Sequence, residues 1–132
     1  MIKAIPVQHV YRYWDKVDNL LGKSLQHCEH DYTVSDIRKA LDDREMQLWV
    51  YEVDHKVLAA LVTSIISYPQ RKVCVMMFMG GSRKNLWLKH EKEIEDWAVS
   101  QGCTDLELYG RIGWTRILKA WRQVGIKLRR KL

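Results

Sequence analysis

The clearest pattern in the chain is an unbroken apolar run at residues 73–79, which ends in Gly80 and Gly81 and is followed by a helical pattern. A strand that is apolar at every position suits the centre of a sheet, where both faces are covered. The two glycines allow a sharp turn and leave backbone N–H groups bare ahead of a helix, which attracts anions. The pattern therefore predicts a central strand followed by a possible phosphate site.

The next pattern predicts an amphipathic helix that ends at Gly102, with an apolar face formed by Trp87, Ile94, Trp97 and Ala98. His90 lies on the same apolar stripe. No second histidine or carboxylate accompanies it at metal-ligand spacing, so a partly buried helix histidine is favoured over a catalytic one.

Residues 104–109 alternate, with Leu106 and Leu108 on one face and Glu107 and Tyr109 on the other, which predicts a strand. A second helical stripe follows and closes at Gly125; it is formed by Trp114, Ile117, Leu118 and Trp121. The segment from residue 73 to residue 125 is therefore predicted to be a β-α-β-α unit.

The preceding part of the chain predicts a short strand at residues 1–7, a helix at 9–25 and a brief helix capped by Ser35, with Ile37 and Leu41 facing inward. Strands at 46–53 and 57–68 are joined by a tight turn at residues 54–56. The predicted order is β-α-α-β-β-β-α-β-α-β. We expect an α/β (α+β) fold with one mixed sheet, helices on both of its faces, and a single domain spanning residues 1–132.

The composition excludes few classes of protein. The 132 residues are 47% hydrophobic and 29% charged, which is ordinary for a globular protein. No signal peptide and no apolar run of membrane-spanning length is evident, so we expect a cytoplasmic protein without a membrane partner. Cys28, Cys74 and Cys103 are widely spaced and odd in number, which indicates free thiols rather than disulfides or a metal site.

Charge is distributed unevenly. All 16 acidic residues lie in the first 110 positions, together with 14 of the 22 basic residues. The rest of the chain is purely basic, through Arg111, Arg116, Lys119, Arg122, Lys127, Arg129, Arg130 and Lys131. Such a patch suits a cofactor phosphate, a nucleic acid or an acidic partner surface, and a solvated basic edge strand is the simpler alternative.

The predicted element order resembles that of the GNAT superfamily of acyl-CoA-dependent N-acetyltransferases over nearly the whole chain. More narrowly, several stretches are similar to short GNAT-like proteins encoded by tailed bacteriophages and prophages: DYTVSDIRKAL, MQLWVYEVD, LAALVTSIISYPQRKV, the GG pair and LYGRIGWTRILK. The resemblance implies that acetyl-CoA is held where two central parallel strands splay apart. It also implies that the pyrophosphate rests on loop amides at the start of the following helix.

Carried onto this sequence, the resemblance assigns backbone contacts with the pantetheine arm to Met77, Phe78 and Met79. It assigns the pyrophosphate loop to Gly80, Gly81, Ser82, Arg83, Lys84 and Asn85. The family's usual loop has Gln or Arg, two residues, Gly, one residue, then Gly or Ala, and GGSRKN departs from that spacing. The basic pair in this loop either replaces lost amide contacts with charge or is only solvated. If the basic C-terminus serves the cofactor, Arg111 and Arg116 are the expected contributors.

Acetyl transfer needs a base for the incoming ammonium and an acid for the departing thiolate. Glu107 and Tyr109 share a strand face and are the best candidates for these roles, with Glu52 as a further titratable group. The alternative is that they lie on a solvated strand face without chemistry. Counting back from Gly125, the family's frequent tyrosine acid falls on Trp121 and its asparagine on Trp114, and an indole cannot supply the proton.

Three functions from different classes remain open at this point. The first is an acetyl-CoA-dependent N-acetyltransferase acting on an amine, with no metal. The second is a phage structural or morphogenesis protein that keeps the fold without catalysis and binds other virion proteins. The third is a nucleic-acid-binding module that uses the basic C-terminus, although a helix-turn-helix pattern and an aromatic strand motif are both lacking.

Overall fold

A computed structural model describes residues 2–26, 31–81, 85–109 and 118–132, and for residues 85–88 it describes the backbone alone. Five strands form one sheet in chain order: β1 (Ile2–Ile5), β2 (Gln47–Val53), β3 (Lys56–Ser67), β4 (Lys72–Gly81) and β5 (Asp105–Leu108). Neighbouring strands are antiparallel except for β4 and β5, which are parallel. The mixed sheet predicted from the sequence is confirmed.

The helices cover both faces of the sheet, as predicted. A short 3₁₀ turn (Val7–His9) leads into α1 (Val10–Leu25), which is followed by α2 (Val34–Asp42), and α3 (Asn85–Ser100) connects β4 to β5. α1 and α2 pack on one face, where the fully buried side chains include Val17, Leu21, Ile37, Leu48 and Val62. α3 packs on the other, where they include Leu61, Cys74 and Ile94. No helix within the described residues is long and apolar enough to span a membrane.

The hairpin between β2 and β3 follows the predicted turn. Asp54 and His55 both have left-handed backbone conformations, with φ of 50° and 63°. Two successive residues with positive φ match the twist of the flanking strands, as in a type I′ turn. Val53 pairs directly with Lys56 across this two-residue loop.

Helix α2 begins two residues earlier than predicted and has a different cap. The Thr33 hydroxyl accepts a hydrogen bond from the Asp36 backbone N–H at 3.1 Å, and the Asp36 carboxylate accepts one from the Thr33 N–H at 2.8 Å. This is a capping box, so the assignment of the cap to Ser35 was wrong. The predicted inward positions, Ile37 and Leu41, are buried.

The glycine pair ends β4 instead of turning the chain away from the sheet. Gly80 pairs with Ala60, and Gly81 pairs with Ala59. A Cβ on Gly80 would collide with the backbone carbonyl of Leu20 in α1, and one on Gly81, which has φ of 135°, would lie 2.6 Å from the Ala59 Cβ. These positions are glycine because neighbouring backbone approaches closely, which corrects the expected sharp turn.

The predicted final helix and strand are not found in residues 118–132. The structure gives these residues no helix and no strand, and from residue 122 onward they are exposed. The part of the predicted helix at residues 110–117 lies outside the described residues. In the described segment Lys119 and Arg122 repeat at helical spacing with no acidic residue to pair with them, which disfavours a helix. A terminal strand also needs a hydrogen-bonded neighbour, and this segment has none among the described strands.

Candidate active site

The pairing between strands β4 and β5 ends halfway along β4. Their parallel pairing runs from Val73 opposite Asp105 to Met76 opposite Leu108. β4 then continues to Gly81 while remaining paired with β3 on its other side. Within the described part of the chain, the β5-facing edge of β4 beyond Met76 therefore has no strand partner, and a wedge opens at the carboxyl ends of the two parallel strands. Open sheets bind ligands at such ends.

A β-bulge at Met77 accounts for the start of the wedge. On β3 the neighbours Val62 and Thr63 face Phe78 and Met76, so Met77 is an extra residue on β4. Met77 and Phe78 consequently both pack towards α1 and α2, although consecutive strand residues normally point to opposite faces. A bulge bends its strand and increases the local twist, which turns the end of β4 away from β5.

Two predicted catalytic residues lie on β5 or directly after it. Leu106 and Leu108 pack into the cluster under α3, so Glu107 lies on the opposite face of the sheet, where it is half-buried. Tyr109 follows the last residue of β5 and is 65% exposed. Glu107 and Tyr109 thus lie at, and directly after, the carboxyl end of β5, and their roles as base and acid stay a prediction.

The sequence analysis missed a further phenol, Tyr68, which lies in the β3–β4 turn, at the opposite end of β4 from the wedge. It follows β3, and its backbone N–H donates to the Arg71 carbonyl at 2.7 Å. The negative charge of Glu107 raises the pKa of Tyr68, with smaller contributions from burial and from Tyr109. The raised pKa favours the protonated form of the Tyr68 phenol. The only sequence signal was its position as the last residue of a predicted strand.

Glu52 does not belong to this group. It lies on β2, which β3 and β4 separate from β5. Its carboxylate is 3.5 Å from the Lys3 ammonium. The pKa of Lys3 is raised, chiefly by a hydrogen bond with Tyr13 and also by Glu52. Glu52 is therefore part of an ion pair near the opposite edge strand.

His90 is a partly buried helix residue, as expected. Its side chain is 27% exposed, and its Nδ1 lies 3.3 Å from a carboxylate oxygen of Glu93, one turn further along α3. Its ring also lies 5.4 Å from that of Tyr51, centroid to centroid. Sequence analysis did not anticipate this carboxylate neighbour. Among the described residues no group of three potential ligands could hold a metal ion.

The residues assigned to the cofactor divide into three sets. Met77, Phe78 and Met79 form the bulged end of β4 and are buried or half-buried. Asn85 begins α3, with only three residues between it and Gly81. Ser82, Arg83, Lys84, Arg111 and Arg116 lie outside the described residues.

This arrangement fits acetyl-CoA in two respects. The free edge of β4 offers backbone donors and acceptors that the amides of a pantetheine arm can pair with, as an added strand would. The start of α3 lies at the same end of the sheet, and a helix N-terminus favours negative charge. The first turn of α3 contains no acidic residue that would oppose a pyrophosphate.

Trp121, on which the family's tyrosine acid falls by counting in the sequence, is half-buried and packs with the cluster under α3. Its indole N–H donates to the Glu91 carboxylate at 2.7 Å. Residue 121 is not helical, so the helix predicted to carry it is not found there. The correspondence with the tyrosine acid stays a prediction. Trp114 lies outside the described residues.

Comparison with solved structures identifies the architecture. A probable acetyltransferase superposes with a TM-score of 0.74 at 12% identity, covering 100% of this chain and 96% of that one. An aminoglycoside acetyltransferase from an uncultured soil metagenomic sample, in complex with sisomicin, gives 0.74 at 9% identity, covering 100% and 95%. A predicted acetyltransferase with acetyl-CoA from Clostridium acetobutylicum gives 0.72 at 9% identity, covering 99% and 95%.

The chain has a GNAT-like acetyltransferase fold. At these identities the likeness establishes the fold alone. No protein-family model matches the sequence, and no curated protein matches it significantly. The superpositions cover nearly the full length of this chain and of each of the three compared chains. The wedge between β4 and β5 is thus a feature of a sheet shared with acetyltransferases.

Proposed function

We propose that this protein is an acetyl-CoA-dependent N-acetyltransferase that acts on an amine in the wedge between β4 and β5. The observation that carries the proposal is the end of β4–β5 pairing at Met76 and Leu108, directly before the bulge at Met77. This leaves a bare strand edge next to the end of β5, where Glu107 and Tyr109 lie. The GNAT-like fold supports the same location.

In this proposal the pantetheine arm lies along the backbone of residues 77–79. Its amide groups pair with the edge of β4 that β5 leaves free. The diphosphate lies towards the start of α3, and the loop of residues 80–85 and the basic pair Arg83 and Lys84 surround it. Arg111 and Arg116 are proposed to add charge there. Acetyl-CoA supplies the acyl group as a thioester.

The proposed chemistry uses the side chains at the mouth of the wedge. Glu107 accepts a proton from the incoming ammonium, and the free amine attacks the thioester carbonyl carbon. A C–N bond forms, the C–S bond breaks, and the thiolate takes a proton from a phenol. Tyr109 is the proposed donor of that proton. The products are an N-acetyl amide and CoA.

A calorimetric titration with acetyl-CoA tests the binding step. We expect saturable binding and, by hydrogen exchange, slower exchange of the β4 amides at residues 77–81, because the pantetheine arm covers that edge. The amides of β1 and β2 serve as an internal control and should not change. Absence of heat and of any shift in melting temperature at millimolar acetyl-CoA would remove the proposal.

The second candidate function is a phage structural or morphogenesis protein that has kept the fold and lost catalysis. The Trp121–Glu91 contact favours it, since an indole that donates to a carboxylate on α3 cannot protonate a thiolate. The sequence similarity to short phage-encoded proteins supports the same candidate. Binding to other virion proteins in the absence of any acetyl-CoA binding would support this alternative.

A third candidate, nucleic-acid binding, is favoured by the exposure of the basic residues at 122–132. If it holds, affinity for a DNA duplex should fall steeply with salt. Replacing each phosphate-contacting Lys or Arg should lower the salt slope by about one unit. Binding that does not depend on salt would exclude this candidate.

A further inference from the structure

A cavity lies at the edge of the sheet away from the wedge, where β1 ends at Ile5 and β2 begins at Gln47. Its volume is about 340 Å³, which is within the size range of pockets that hold small molecules. Strand β3 separates β2 from β4, so the cavity is distinct from the candidate active site.

Apolar side chains from both helix layers form most of the cavity wall. Val10 of α1 and Leu41 of α2 come from one face of the sheet. Trp49 of β2 and Trp97 of α3 come from the other. The two indole rings meet edge to face, with their centroids 5.3 Å apart. Such rings offer a large apolar surface, so the cavity suits the apolar body of a ligand.

Gln47 adds a hydrogen-bond donor whose orientation is fixed from behind. The hydroxyl of Thr63, a fully buried residue, accepts from the Trp49 indole N–H at 3.1 Å. The same hydroxyl donates its one proton to the Gln47 side-chain oxygen at 2.9 Å. The amide oxygen of Gln47 is therefore held on Thr63, and its NH₂ group is the end that can donate to a ligand in the cavity.

Arg44 adds the positive charge. It follows α2, is exposed and lines the cavity. The neighbouring carboxylates have other cations: Asp42 lies 3.1 Å from Arg38, and Asp43 lies 2.7 Å from Lys39. Among the described residues, no ion pair or hydrogen bond engages the Arg44 guanidinium, and none of those that line the cavity is acidic. A guanidinium of this kind can bind a carboxylate through two parallel hydrogen bonds.

We propose that this cavity is a binding site for a small carboxylate with an apolar body. The apolar body packs against Trp49 and Trp97, and the carboxylate accepts hydrogen bonds from the Arg44 guanidinium and the Gln47 NH₂ group. An amine of the same shape is rejected, because both polar side chains donate and the charges repel. The ligand contacts α2, β2 and α3 together, so it stabilises the folded protein against unfolding.

Phenylbutyrate and phenylbutylamine test this assignment, because they share an apolar body and differ in the charge of the head group. In NMR titrations phenylbutyrate should shift the indole N–H signals of Trp49 and Trp97 and the side-chain NH₂ signals of Gln47 in a saturable way. The Trp121 indole, which is bound to Glu91, is the internal control and should not shift. The proposal is wrong if millimolar phenylbutyrate moves none of the three cavity signals, or if phenylbutylamine moves them with equal affinity.

Two variants separate the charge from the space. Arg44→Gln should weaken phenylbutyrate binding about tenfold, because it removes a charge-assisted contact. Lys39→Gln is the matched control, since it removes one positive charge from the last turn of α2 at a residue that does not line the cavity. Ala4→Trp replaces an exposed lining residue of β1 and should abolish binding by filling the cavity. Equal effects of the two glutamine variants, or full binding by Ala4→Trp, would overturn the assignment.

Discussion

The Trp121 indole N–H donates to the Glu91 carboxylate at 2.7 Å, which fastens the C-terminal segment to the helix that follows the wedge. Glu91 is half-buried, and the contact satisfies an acceptor that burial would otherwise leave without a partner. This hydrogen bond therefore links α3 to residues 118–132, which form neither a helix nor a strand.

Trp121→Phe should destabilise the fold by about 1 kcal/mol, because it keeps most of the ring packing and removes one hydrogen bond to a charged group. Glu91→Gln is the matched variant, since its amide oxygen still accepts from the indole. Thermal unfolding of both variants measures the difference. Equal melting temperatures for wild type and Trp121→Phe would show that the hydrogen bond contributes nothing.

The same pair predicts a pH dependence. Burial raises the pKa of Glu91 above its usual value, more than the Trp121 N–H lowers it. A carboxyl with a raised folded-state pKa supports the fold fully below its unfolded pKa and loses that contribution as the pH rises through the folded value. Glu91→Gln should therefore gain stability relative to wild type as the pH rises from the ordinary pKa of a glutamate through the raised folded value. A difference that shrinks over that range would contradict the assignment.

Thr33→Ala should destabilise the protein by about 1 kcal/mol, because the Thr33 hydroxyl caps the start of α2. Ser35→Ala is a matched control within the same helix turn. It removes a hydroxyl that takes no part in the capping box and should change stability little. Chemical denaturation of the two variants provides the comparison, and a larger loss for Ser35→Ala would reverse the assignment of the cap.

Gly80→Ala should destabilise strongly or prevent folding, since its Cβ would overlap the Leu20 carbonyl oxygen and neither backbone can yield easily. Gly125→Ala is the control, because nothing lies within 4 Å of a Cβ at that position. Yield and melting temperature of the two variants measure the effect. Comparable behaviour would mean that β4 and α1 are not in close contact at this point.

Glu107→Gln should lower kcat for amine acetylation by roughly 10²–10⁴-fold if the carboxylate is the general base, with acetyl-CoA binding retained. Tyr68→Phe removes the neighbouring phenol and should have a smaller effect. Thiol release with a panel of primary amines measures both. An unchanged kcat in the Glu107→Gln variant would show that the carboxylate is not the general base.

Local periodicity determined which side chains of a single strand or helix are buried, because that depends on one face of one element. The apolar run at 73–79, the stripe through Ile94 and the alternation at 104–109 each specify burial along a single strand or helix. The structure confirms the resulting order from β1 to β5. The parallel pairing of β4 with β5 follows from a helix placed between two strands, because such a crossover returns the chain in the same direction.

Tertiary structure alone decided the features that depend on two distant segments. The bulge at Met77 exists only in the pairing of β4 with β3, and no local pattern marks the extra residue. The charge of Glu107 acts on Tyr68 because the fold brings β5 and the end of β3 into one sheet. Gly80 is required by α1 and not by a turn. The stripe through Leu118 and Trp121 predicted a helix, but amphipathic periodicity becomes regular structure only where packing supports it, and in residues 118–132 it does not.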